Sequence, residues 1–146
     1  MLLKTLAWTS LKLRVQGESM KPLLHPGDQI VVVPNTPEEL APGDVILLDG
    51  LPSPVVHRFM YLSPQGLITK GDASSYDFPW HESHLLGRVV ERIRSGQTTR
   101  LDEGWPRLHG RLHAFLLHLR HRVGKLLPWR SPRAQRNTHI RANGAA

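Results

Sequence analysis

Two copies of one turn, Pro26-Gly27-Asp28 and Pro42-Gly43-Asp44, constrain this chain more than any other feature. Proline presets φ at the second position of such a turn, and glycine accepts the positive φ of the third. Each turn leads at once into a short aliphatic run, Gln29 to Val33 and Val45 to Leu48. Runs this short, rich in Val and Ile and bounded by Pro and Gly, are strands rather than helices. Nothing else recurs at that spacing, so the pair marks two turns that each deliver a strand, not a repeat architecture. The same logic predicts strands over 11–16, Val55 to Leu62, Leu67 to Thr69 and Leu85 to Ile93. Pro34 to Pro42 reads as a loop or short helix, with Thr36 as its cap before Pro37-Glu38-Glu39. Many short strands divided by turns predict a mainly β chain, a coiled sheet or barrel.

Trp105-Pro106 breaks this pattern. Beyond it Leu108, Leu112, Phe115, Leu116, Leu119, Val123, Leu126 and Leu127 recur at spacings of three and four. That period predicts an amphipathic helix within 104–130, with Arg107, Arg111, Arg122 and Lys125 largely off the apolar stripe. Pro128 stops it, and 131–146 reads as a disordered basic tail. Charge divides at the same place. Residues 1–103 carry 10 Lys and Arg against 12 acids, whereas 104–146 carry 9 Lys and Arg and no acid. A near-neutral body, 1–103, thus precedes a cationic appendage. The appendage implies an anionic partner such as a lipid surface, and lacks any motif for reading nucleic acid. Cysteine is absent, which excludes disulfides and thiolate metal sites. No run reaches the roughly 18–20 apolar residues of a membrane span, so a cytoplasmic or peripherally membrane-associated protein is expected.

Chemistry is concentrated in the body. Ser19 follows an extended segment and sits in Gly17-Glu18-Ser19-Met20-Lys21-Pro22, where a bent backbone can project its hydroxyl. His57 lies in a predicted strand, and Asp72 and Asp77 in the loop region after another. Lys70 could serve as a base in a serine–lysine pair, but its place in the turn with Asp72 reads as a solvated lysine. Phe78 and Trp80 suit either a groove or packing. His109, His113, His118 and His121 have helical spacings that can hold zinc, but no carboxylate stands near them in sequence, so no metal is expected.

Six short motifs, in order, carry a family resemblance: Gly17-x-Ser19-Met20-x-Pro22, Pro26-Gly27-Asp28, Pro42-Gly43-Asp44-Val45, Val55-Val56-His57-Arg58, Thr69-Lys70-Gly71-Asp72 and Leu86-Gly87-Arg88-Val89. Together they resemble the S26 signal peptidase family and the clan it shares with LexA-type self-cleaving repressors. The resemblance covers 15–90, about half the chain. It implies a serine endopeptidase that binds an extended peptide or preprotein, needs no cofactor, and cuts after small side chains. Ser19 would be the nucleophile. His57 stands where typical bacterial members carry a lysine, as in the serine–histidine branch of endoplasmic-reticulum type. A lysine base must be lowered by about 3 pH units, roughly 4 kcal/mol, to work at neutrality, whereas a histidine needs little tuning.

The resemblance also implies a carboxylate that orients His57. Asp72 matches by position. The second aspartate of the endoplasmic-reticulum type falls here on Phe78, with Asp77 one residue short, so both Asp72 and Asp77 stand as candidates. Many members also place a serine two residues before the nucleophile, as a donor to the oxyanion. Here that position is Gly17. These departures leave a second reading open, a peptide-binding module that keeps the fold without efficient catalysis. The family's usual N-terminal anchor is not evident, and the basic amphipathic helix could replace it at a membrane surface.

Overall fold

The computed structural model describes residues 9–103, 110–116 and 119. Its body is one antiparallel sheet of seven strands: β1 Leu11–Arg14, β2 Gln29–Val33, β3 Val45–Leu48, β4 Val55–Ser63, β5 Gly66–Lys70, β6 Leu85–Arg94 and β7 Gln97–Arg100. The strand order is β1-β2-β6-β3-β4-β5, with β7 attached to β6. β6 is therefore the hub. Its first half pairs with β3 and its second half with β2 and β7. Irregular register at Val31/Val32, Leu47/Leu48 and Phe59/Tyr61 bends the ladders.

The two Pro-Gly-Asp turns have the same construction. Gly27 and Gly43 take φ of 94° and 98°, a conformation glycine adopts without steric cost. Asp28 N–H bonds His25 O and Asp44 N–H bonds Ala41 O. Each aspartate side chain also accepts from the N–H three residues back, at 2.8 Å. Arginines of β6 reach both carboxylates, Arg94 to Asp28 at 2.7 Å and Arg88 to Asp44 at 3.7 Å. The predicted short helix is a single 3-10 turn, Pro37–Glu39, whose Glu39 carboxylate accepts the Thr36 N–H at 2.9 Å.

Strand alternation sorts the core into two layers. Val45 and Leu47 join Met20, Leu24, Ile30, Val32, Leu86 and Val89, while Ile46 and Leu48 join Phe59, Leu67 and Leu85. β3 is buried along its whole length because both its faces are covered. The predicted strand over 11–16 is shorter as a ladder, although Val15 continues it by bonding Asp28 O and Gly27 N.

Residues 110–116 and 119 are helical, within the predicted amphipathic helix. The rest of that stretch, the tail and residues 1–8 lie outside the described residues. The helix rests on the second Pro-Gly-Asp turn: a Cβ on Gly43 would lie 2.6 Å from the backbone of Gly110 and Arg111. Among the described residues, no helix is long and apolar enough to cross a membrane.

Candidate active site

Ser19 is held from both sides. On one side Met20, 2% exposed, is sunk in the first core layer, and Leu24 N–H closes a turn onto Met20 O at 2.9 Å. On the other, Ala73 N–H donates to Ser19 O at 2.8 Å. Gly71 makes this approach feasible, since a Cβ there would fall 2.7 Å from Ser19 O and 3.0 Å from Ser19 Cβ. The Lys70-Gly71-Asp72 turn is thus a backbone buttress for the serine.

His57, on β4 opposite Ile46, is 8% exposed. Its Nε2 lies 3.1 Å from Ser19 Oγ and its Nδ1 lies 2.5 Å from Asp77 Oδ2. Thr69, fully buried on β5, donates its hydroxyl to the same Oδ2. Burial pushes the Asp77 carboxyl up. The hydrogen bonds from His57 and Thr69, with the His57 charge, outweigh that and hold it below its ordinary range. The Trp80 indole N–H adds a smaller share, although it falls outside hydrogen-bond geometry. An ionised Asp77 takes the Nδ1 proton as its partner, which leaves the Nε2 lone pair facing the Ser19 hydroxyl. A serine, a histidine and a carboxylate in line can pass a proton from hydroxyl to ring and back.

Of the two candidate carboxylates, the one at His57 is Asp77. Asp72 is engaged elsewhere: Arg58 Nε and Nη2 grip its two oxygens at 2.7 Å each, and Arg58 Nη1 donates to Gly43 O at 2.7 Å. Neighbours on a strand point to opposite faces, so His57 and Arg58 each take a different aspartate. No family model matches the chain, and no curated protein matches it significantly. What the arrangement can do therefore rests on its own geometry.

A cavity of about 390 Å³ opens at Ser19, lined among others by Leu13, Val15, Met20, Pro54 and Val56. It borders β1, which ends the sheet's path with one edge unpaired among the described residues. Gly17 also lines it, and a Cβ there would meet nothing within 4 Å. The Ser19 N–H donates to no acceptor among the described residues.

Lys70 Nζ donates to Gly71 O at 3.1 Å and Ser74 O at 2.6 Å. Trp80 is tied to Leu67 by two backbone bonds and packs on the second core layer, whereas Phe78 is 94% exposed. In space His113 does have a carboxylate nearby, Asp72 Oδ1 at 4.0 Å. The other three helix histidines lie outside the described residues. Among the described residues no three His, Asp or Glu side chains are grouped to hold a metal. Arg58 and Thr69 stand in the motifs read from the sequence, but without the roles the structure gives them.

Proposed function

We propose that the chain is a serine endopeptidase of the signal-peptidase type, with Ser19 as nucleophile, His57 as general base and Asp77 as the group that orients it. The sheet would then be that family's coiled β architecture. The observation that carries the reading is the unbroken line from Ser19 Oγ through His57 to Asp77, with contacts of 3.1 and 2.5 Å. His57 takes the Ser19 proton as the hydroxyl attacks the scissile carbonyl. It then returns that proton to the leaving amine, and water completes hydrolysis of the acyl-enzyme by the same route. The Ser19 N–H, which donates to no acceptor among the described residues, supplies one donor to the oxyanion. An extended peptide beside the unpaired edge of β1 would present its side chains to the cavity at Ser19.

The test is cleavage of a peptide carrying an Ala-x-Ala site followed by further residues, by the parent, Ser19→Ala and His57→Ala. Each substitution should abolish measurable turnover while peptide binding persists. Cleavage by both variants at the parental rate sinks the assignment. The Gly17 position favours a second reading, a peptide-binding module, because the side-chain donor expected there is missing. A serine-directed lipopeptide or β-lactam inhibitor separates the two, since only an activated Ser19 forms the covalent adduct.

A further inference from the structure

The helix of residues 110–116 and 119 is mounted the wrong way round for a globular protein. A surface helix ordinarily buries its apolar stripe and shows its polar face. Here the buried residues are Gly110 and Ala114, the latter 2% exposed, and they are small. The large apolar residues face outward: Leu112 is 55% exposed, Phe115 62%, Leu116 49% and Leu119 47%. At about 100° per residue these four share one arc, and Gly110 and Ala114 share the opposite one. The buried side is well occupied. A Cβ on Gly110 would lie 2.8 Å from Arg58 Nη1 and 3.1 Å from Gly43 O, and His113 stands 4.0 Å from Asp72. The helix therefore cannot roll its stripe inward without uncovering the Arg58–Asp72 pair.

Charge decides what the stripe faces. Exposed Arg111 lies at its rim, and the sequence from 104 to 146 holds 9 Lys and Arg and no Asp or Glu. An apolar strip set in a purely cationic segment fits a surface that is negative outside and apolar beneath. We propose that the face made by Leu112, Phe115, Leu116 and Leu119 docks in the interface of an anionic lipid bilayer. The apolar side chains sit at the headgroup–acyl boundary and the cations meet the lipid phosphates. Nothing in this depends on the peptidase reading.

The full chain is sedimented with vesicles of mixed phosphatidylcholine and phosphatidylglycerol, and with phosphatidylcholine alone. It should pellet with the anionic vesicles and much less with the neutral ones, and added salt should weaken the binding. Phe115→Ser with Leu116→Ser should reduce binding by about tenfold or more, with the circular dichroism spectrum and the melting temperature unchanged. Leu112→Gln with Leu119→Gln should do the same from the other end of the stripe. The proposal is overturned if the parent ignores anionic vesicles, or if both variants bind them as the parent does. It is also overturned if sedimentation velocity shows a dimer that the same substitutions break, which would give the stripe to a second copy of the chain.

Discussion

At the scale of single residues, two aspartates five positions apart do unrelated work. Asp77→Asn should replace the carboxylate that fixes the His57 tautomer with a group that also donates, lowering kcat by about 10³–10⁴-fold with KM little changed. Asp72→Asn should act on the fold instead. It leaves Arg58, whose side chain is 5% exposed, without its carboxylate, at a cost of about 3–5 kcal/mol in chemical denaturation. Similar kinetic losses in the two folded variants would contradict this division. The sequence showed both carboxylates and both turns, but not which one reaches His57. That is settled by Arg58, which claims Asp72 on the other face of β4. Spacing along a chain carries no information about such competition. Gly17 was legible and remains instructive, because the space beside it is open. Gly17→Ser should add a hydroxyl donor near the oxyanion and raise kcat by about tenfold or more, since one such donor is worth up to about 10²–10³. An unchanged kcat would show that the oxyanion is served from elsewhere.

At the scale of elements, the second Pro-Gly-Asp turn carries more than a change of direction. Gly43 supplies a positive φ, offers its carbonyl to Arg58, and lets the helix backbone come within contact. Gly43→Ala should destabilise the protein by more than about 1 kcal/mol, through both the strained φ and the clash with Gly110. Gly27→Ala meets open space and should cost only the backbone strain. Equal losses in thermal melts of the two variants would refute the role given to the helix contact. The strands that a reader of the sequence can find, β1 to β6, are those with aliphatic positions bounded by turn residues. β7 is missed because Gln97-Thr98-Thr99-Arg100 is polar and has no alternation. Its real signal is the two-residue loop Ser95-Gly96, with both φ positive at 50° and 78°, the hairpin turn that matches strand twist.

At the scale of the whole molecule, Arg94 ties the first turn to the far end of β6. The hydrogen bond from Arg94 holds the Asp28 carboxyl at about 2, against an ordinary 3.8, despite its burial. The native state therefore binds fewer protons than the unfolded chain between those values, and stability rises with pH across that window. The contribution is complete above about pH 4 and lost as pH falls through about 2. Asp28→Asn should lower stability at neutral pH by on the order of 2 kcal/mol and flatten the acid limb of the unfolding profile. A variant as stable as the parent at pH 7, or with the same acid limb, would refute it. The hub position of β6 has a further consequence, for the order in which the protein is made. Ser19 follows β1 and precedes β2, whereas His57 and Asp77 belong to the β3-β4-β5 half, and only β6 pairs with a strand of each half. A nascent chain that has not yet released residues 85–94 from the ribosome has no strand to join the two halves. Until most of the body has been synthesised, Ser19 and the His57–Asp77 pair thus lie on segments that no strand pairing joins.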